Sequence, residues 1–310
     1  MTFYNNTELV TVVIANHNRC DDLRAAIRSV KEQEYPNIEI VIVDNASRDN
    51  SCAMLASEFP DVCVIALNEN RGMDGYSAGF EYAKGEYIFQ MDNDSVMADP
   101  RVLSEVVARF QAGPEDLAVV ATRVEEYDGK EAIGLLKLRN RPCGPINMGG
   151  FHSGGVGFRR RFLDQVGYYN RDVFLYGSEL FLQMKFLAAG LRVFYYPEIL
   201  MLHKSSRVAR SSNGLYYDLR NRYWFMRHFA TCRQRLRFLP MMILHDAVYS
   251  ICTKTPRTFV QSVKDGFGSL PPSIRRPLRS KNRDFVKKVD EVGFHFCFTN
   301  LKNRLINRVR

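Results

Sequence analysis

Four short apolar runs recur along the first third of the chain: "VTVVIA" (10–15), "IEIVIVD" (38–44), "VCVIAL" (62–67) and "EYIFQM" (86–91). Such runs, rich in Val and Ile and nearly continuous, suit strands buried on both faces. Between the first two, "DDLRAAIRSVKEQ" sets Leu23, Ala26, Ile27 and Val30 at i, i+3, i+4 and i+7 with acids in its first turn, which predicts a helix. A second helical stretch is expected to run through about Phe59, and Tyr76, Gly79, Phe80 and Ala83 mark a third helical face. Strands alternating with helices imply a parallel α/β sheet with right-handed crossovers. Ligands of such sheets bind beyond the carboxyl ends of the strands. Three of the runs end there in polar clusters, at Asn16–Asn18, Asp44–Ser47 and Asp92–Asp94.

The last cluster, Asp92-Asn93-Asp94, places two carboxylates one residue apart at the end of a buried strand. An uncompensated ion in such a place costs several kcal/mol, so a cation, a donor cluster or open solvent must meet them. A calcium loop opening at Asp92 would need Gly at its sixth position and Glu at its twelfth, where the chain has Met97 and Leu103. Helix capping falls instead to Asp99, which precedes Pro100. The pattern is better suited to a hard divalent cation that bridges the carboxylates and the phosphates of a ligand. Alone, D-x-D is a weak signal; the strand end and the two neighbouring polar clusters strengthen it.

Beyond residue 117 the periodicity loosens. "LAVVAT" (117–122) reads as a strand, 128–150 as loop or hairpin, 178–189 as a helix, and 191–196 as a strand that Pro197 ends. "GGFHSGGVGF" (149–158) carries five glycines, suited to close approach of backbone to a ligand or a neighbouring strand. The seven cysteines are scattered without a C-x-x-C pair, as expected of a reducing compartment rather than a disulfide framework or zinc site. Met1 leads into a polar segment without a signal-peptide pattern. The longest apolar stretch, "FLPMMILHDAVYSIC" (238–252), falls short of the ~20 residues needed to span a bilayer. A cytoplasmic protein, at most peripheral on the cytoplasmic membrane face, is the expectation.

The net charge of +9 conceals an asymmetry: residues 1–200 carry 20 Lys and Arg against 28 Asp and Glu, whereas residues 201–310 carry 23 against 6. The sequence reads as an acidic body followed by a basic region.

"VTVVIANHNR", "IEIVIVDNASRDNS", "NENRGMDGYSAGFEYAKGEYIFQMDND" and the stretch from "HSGGVGF" through "YGSELFLQMKF" to "EILMLH" resemble, in this order, glycosyltransferase family 2, the rhamnosyltransferase-like members being nearest. The resemblance covers about residues 9–203. It implies the GT-A fold, a Rossmann-like, mostly parallel sheet flanked by helices, over residues 1–210; residues 211–310, from their own charge and apolar pattern, read as a basic, amphipathic helical appendage. It also implies a nucleoside-diphosphate sugar donor (UDP-, dTDP- or GDP-linked) and Mg²⁺ or Mn²⁺. By the same resemblance Ala15, Asn16, His17, Asn18, Arg19, Asp44, Asn45 and Ser47 would hold the nucleobase and ribose, and Arg71, Gly72 and Gly75 would form a loop against the donor. Asp92, with Asn93 beside it, and Asp94 would coordinate the metal together with His203. Lys204, Arg207 and Arg210, immediately after His203, would add to the metal's stabilisation of the negative charge on the departing diphosphate. The competing readings are structural: a turn at Asp44, ordinary turn glycines, a core histidine, a solvated basic loop.

An attacking hydroxyl must also lose its proton, which calls for a carboxylate base and gives an inverting displacement. The family usually supplies it from an E-D-x-D-like run. Here "YGSELFL" departs, with Glu179 at the base position and Phe181 where a second acid normally sits. Asp172 is the fallback base, and a glutamate serving the helix dipole is the competing role for Glu179. His152 either faces the acceptor or packs; Trp224 is read as packing or interfacial. The basic region suits an anionic membrane surface, hence a glycan or lipid-linked saccharide acceptor, or an oligomer contact; no nucleic-acid module accompanies it. The alternatives are a non-catalytic sugar-nucleotide-binding relative and, more remotely, a nucleotidyltransferase, whose glycine-rich basic loop "NHNRCDD" does not match.

Overall fold

The computed structural model describes residues 8–127, 146–147, 151–204 and 213–306, the side chains of 146–147 and 298–306 excepted. Two compact units emerge, Met1–Tyr169 with Gly190–Arg207, and Asn170–Ala189 with Val208–Arg310. Residues 170–189 thus group with the C-terminal helices.

In the first unit the expected alternation is present: β1 (Val10–Asn16), α1 (Cys20–Lys31), β2 (Ile38–Asp44), α2 (Ser51–Glu58), β3 (Cys63–Ala66), α3 (Gly75–Tyr82) and β4 (Tyr87–Asp92). These four strands are parallel, in the order β3-β2-β1-β4. Leu23, Ala26, Ile27 and Val30 are buried as the periodicity demands, against the same core as Val12, Ile14 and Ile42. Gly79 lets α3 lie close to the sheet, because a Cβ there would come within 2.3 Å of Val13 Cγ1. Register then decides where function can sit. Asn16 pairs with Asp44 and Ala15 with Asp92, so three polar strand ends lie level along one edge.

The remaining elements are β5 (Ser95–Met97), α4 (Val102–Ala112), β6 (Leu117–Glu126), β7 (Ile146–Asn147), β8 (Val156–Arg159), α5 (Arg160–Val166) and β9 (Arg192–His203). From β4 onward the sheet is mixed, β8 running antiparallel to β4 and β6, and β9 parallel to β6. β5 pairs antiparallel with β9 and sets Ser95 opposite His203, which brings a residue from late in the chain beside the D-x-D segment.

Two local expectations change. Pro197 does not end its strand: β9 continues to His203, and its register with β6 jumps from Thr122↔Tyr196 to Arg123↔Leu200. The irregularity accommodates a residue that has no N–H to give a ladder. Nor does Asp99 cap α4. The helix starts at Val102 with Arg101 at the N-cap position, and Asp99 Oδ1 accepts the Arg101 backbone N–H at 2.9 Å, closing the turn before it. Most of the expected 128–150 hairpin, with Gly149 and Gly150, lies outside the described residues.

The second unit contains α6 (Ser178–Ala188), α7 (Gly214–Phe229), α8 (Cys232–Cys252), α9 (Pro256–Phe267) and α10 (Arg283–Ile306). Phe181, Phe225, Phe229 and Phe238 are buried in it, and a Thr231–Gln234 capping box opens α8. Asp246, 1% exposed, is met by Arg222, by the Tyr223 hydroxyl at 2.8 Å and by His245 Nδ1 at 2.9 Å. Trp224 packs: it is buried, and its Nε1–H donates to Asp265 O at 3.1 Å. Among the described residues no helix is long and apolar enough to cross a membrane, and Cys20, Cys52, Cys63, Cys232 and Cys297 are free thiols.

Burial lowers His228 from 6.5 to about 4, with its Nδ1–H donating to Ile274 O at 2.8 Å. Between those values the unfolded chain binds a proton that the folded chain refuses, so stability present above pH 6.5 is lost as the pH falls toward 4. The loss is of order 3 kcal/mol. Urea unfolding at pH 7, 5.5 and 4.5 is expected to show that decline, and His228→Gln is expected to flatten it; an unchanged slope would assign the pH dependence elsewhere.

Candidate active site

Asn16, at the end of β1, organises the strand ends. It is buried; its Nδ2 donates to Ser51 Oγ at 2.9 Å and Ser47 Oγ at 3.2 Å, and its Oδ1 accepts from Asn93 Nδ2 at 2.7 Å. Asn16 and Asn93 therefore tie the first and fourth strand ends together. Asn18 takes a left-handed conformation (φ 55°), which Asn tolerates. Its backbone N–H donates to Ser47 Oγ and its Oδ1 accepts from Arg48 N, pinning the loops after β1 and β2 to each other. His17 Nδ1 lies 2.8 Å from Asn45 O.

Asp44 is 3% exposed. Its Oδ2 accepts the Ser47 N–H at 3.0 Å, but Oδ1 is buried with no hydrogen-bond partner among the described residues. A buried carboxylate oxygen left unmet costs free energy, and a hydroxyl or ring N–H from a ligand would satisfy it. Asn45 holds the glycine-bearing loop: its Nδ2 donates to Gly72 O at 2.9 Å and its Oδ1 accepts from Arg71 N at 2.8 Å. Gly72 is left-handed (φ 58°). Gly75 is required by packing, since a Cβ there would meet Asn45 Nδ2 at 2.8 Å.

At the end of β4, ligand atoms of Asp92, Asp94 and His203 all lie within 4.8 Å of one another. Asp92 is oriented by two donors that the sequence did not single out for it: the Tyr76 hydroxyl on Oδ1 at 2.9 Å and the Ser153 hydroxyl on Oδ2 at 2.8 Å. Burial and the Asp92 charge hold the Tyr76 phenol well above its ordinary range, so it remains a donor. Asp94 Oδ1 is 3.2 Å from His203 Nε2 and Oδ2 is 3.1 Å from Arg19 Nη1. Burial works against its charge, yet His203 and Arg19 outweigh it and keep the carboxyl below its usual range. For His203, burial alone would lower the value; Asp94, Asp92 and Glu126 overcome it and raise it to about 9. Glu126 Oε1 stands 3.2 Å from His203 Nδ1. Three carboxylates thus surround one imidazole, and the demand of this edge for positive charge is plain. Two carboxylates and an imidazole are also a donor set that Mg²⁺ or Mn²⁺ accepts.

Other expected residues fall nearby or elsewhere. Ala15 is half-buried in β1, level with Asp92. His152 sits with its ring centroid 5.5 Å from that of His203, its Nδ1 accepting from Gly154 N, and burial holds its pKa below the ordinary value. Lys204 Nζ is 2.9 Å from Asp22 Oδ1, and Arg19 also pairs with Asp22 at 3.0 Å. Arg207 and Arg210 lie outside the described residues. In the second unit Glu179 is half-buried in the first turn of α6, and Asp172 Oδ2 accepts from Ser273 Oγ at 2.7 Å. Phe181, in place of the expected second acid, is 1% exposed among Phe225, Phe229 and His228.

The chain is similar to known proteins in sequence and in fold. The chain is 31% identical over 178 residues to an uncharacterized glycosyltransferase of Nostoc sp., covering 51% of this chain and 52% of that one. It is 29% identical over 198 residues to the succinoglycan biosynthesis protein ExoO of Rhizobium meliloti, covering 59% and 57%. The chain therefore spans about half the length of these curated relatives. Among solved structures it resembles a mannosyltransferase of Pyrobaculum calidifontis, solved in complex with GDP-Man and Mn²⁺, at a TM-score of 0.55 and 17% identity over 96% of this chain and 89% of that one. That likeness establishes a GT-A fold. The family pattern of Glycosyl transferase family 2 matches residues 11–167, just over half of the 310 residues, and the chain belongs to that family.

Proposed function

We propose that the protein transfers a sugar from a nucleoside-diphosphate sugar to a hydroxyl of a glycan or lipid-linked saccharide, with inversion and with Mg²⁺ or Mn²⁺ bound. The observation that carries this reading is the meeting of Asp92, Asp94 and His203 on the sheet edge that also holds the unmet oxygen of Asp44. The names of two similar proteins agree with it, one for polysaccharide synthesis and one for a sugar nucleotide with Mn²⁺.

In this reading Asp44, with Asn45, Ser47, His17 and Asn18, receives the nucleobase and ribose. Asp92, Asp94 and His203 hold the ion, which when bound offsets the negative charge that develops on the departing nucleoside diphosphate. Tyr76 and Ser153 fix the Asp92 carboxylate so that it need not reorganise. Arg19, beside Asp94, adds a fixed positive charge on the same edge. Glu179 accepts the proton of the attacking hydroxyl as its oxygen bonds to the anomeric carbon and the bond from that carbon to the diphosphate breaks. The buried setting of Phe181 explains why a second acid is missing: a carboxylate at that position would be buried among aromatic rings.

Thermal-shift measurements with UDP, dTDP and GDP, with and without Mn²⁺, are expected to give one strong stabilisation that needs the metal and that Asp94→Ala weakens. Glu179→Gln is expected to lower kcat by roughly 10²- to 10⁴-fold while donor binding is kept. Donor binding without turnover, indifferent to Glu179→Gln, would instead identify a sugar-nucleotide-binding relative that has lost catalysis. Tyr76→Phe and Ser153→Ala are each expected to weaken Mn²⁺ binding by about 10- to 100-fold in calorimetry; unaltered affinity would remove them from the metal's support.

A further inference from the structure

Helix α8 buries one side and leaves the other bare. Phe238, Met242, Asp246 and Ser250, spaced every fourth residue, are buried. Leu236, Pro240, Leu244, Val248 and Ile251 follow one another at steps of three or four on another face, with Met241 beside them, and all are exposed. The exposure is large: 79% for Leu236, 67% for Leu244 and 72% for Ile251. At 1.5 Å per residue the stripe is about 22 Å long. A continuous apolar surface of that kind marks a contact with something.

Charge indicates what the contact is. Arg233 and Arg237 continue the stripe at its N-terminal end, three residues before Leu236 and four before Met241, and both are exposed. Exposed Lys254 and Arg257 follow just past its C-terminal end. From Thr231 to Arg257 the chain carries Arg233, Arg235, Arg237, Lys254 and Arg257 and a single acid, Asp246, which is buried against Arg222 and Tyr223. The exposed stripe thus carries cations at both ends and no anion.

We propose that α8 lies on an anionic membrane surface, its apolar stripe at the boundary of the acyl chains and its flanking arginines and lysine on headgroup phosphates. Leu236, Leu244 and Ile251 supply the burial and the cations supply the preference for anionic lipid. A second copy of the chain is the poorer occupant. An antiparallel two-fold pairing would set Arg233 and Arg237 of one copy against Lys254 and Arg257 of the other, like charge against like. An acceptor anchored in the same bilayer would be concentrated around a protein so bound.

The test is co-sedimentation of the 310-residue chain with vesicles of phosphatidylcholine alone or with about a third phosphatidylglycerol. At least tenfold tighter binding to the anionic vesicles is expected, weakened by salt. The double variant Leu244→Asp/Ile251→Asp, at exposed positions, is expected to lose that binding with thermal unfolding unchanged, and Arg233→Glu/Arg237→Glu to lose the lipid preference. Equal pelleting with both lipids, or a double variant that binds as well as the parent, would overturn the proposal. So would a dimer in sedimentation velocity that Leu244→Asp/Ile251→Asp dissociates while the parent ignores vesicles. The readout needs neither donor nor turnover, so its failure leaves the glycosyltransferase reading untouched.

Discussion

Carboxylates crowded at the end of β4 are the constraint around which this molecule is organised. Asp92, Asp94 and Glu126 share one edge with His203 and Arg19, and neither acid of the D-x-D pair is left to solvent alone. Mutual repulsion among three partly buried acids would be costly without cations. An arginine and a protonated imidazole supply that charge in the arrangement seen, and Asp94, Asp92 and Glu126 raise the imidazole to about 9. The same groups that satisfy each other in this state are those a divalent ion would engage. The edge draws its positive charge from Arg19 and His203.

The topology explains how so few residues achieve this. Parallel strands bring Asn16 level with Asp44, and Asp92 level with the preceding Ala15, through register alone, without long side chains reaching across the sheet. The antiparallel strands beyond β4 do something the parallel half could not. The β5–β9 pairing returns the chain to the D-x-D segment and delivers His203 opposite Ser95, more than a hundred residues later in sequence. Asn16, through Ser47, Ser51 and Asn93, locks three loops into one frame.

Much of this was legible in the chain because short runs rich in Val and Ile, alternating with a helix of clear periodicity, suit buried strands, and because acids after such strands have few innocent explanations. Less legible was what orients the acids. Tyr76 shows in sequence only as part of a helical face, and Ser153 only as a residue in a glycine-rich stretch; each meets Asp92 across 16 and 61 residues, a separation with no local signature. Gly75 reads as a donor-facing glycine, yet its lack of a side chain is demanded by Asn45. Pro197 reads as a strand end because the rule that proline breaks a ladder holds only where no bulge absorbs it. Lys204 reads as support for the diphosphate, and its ammonium lies on Asp22, an acid of the α1 first turn. In each case the sequence names the residue, and its observed contacts come from elsewhere in the chain.

The most direct measurement is anomalous diffraction from crystals grown with Mn²⁺ and the stabilising nucleoside diphosphate. A manganese peak bonded to Asp92, Asp94 and His203, with the diphosphate completing its coordination and the base or ribose on Asp44 Oδ1, is the predicted result. A nucleotide bound with no metal at that edge, and with Asp94 still held between Arg19 and His203, would contradict it.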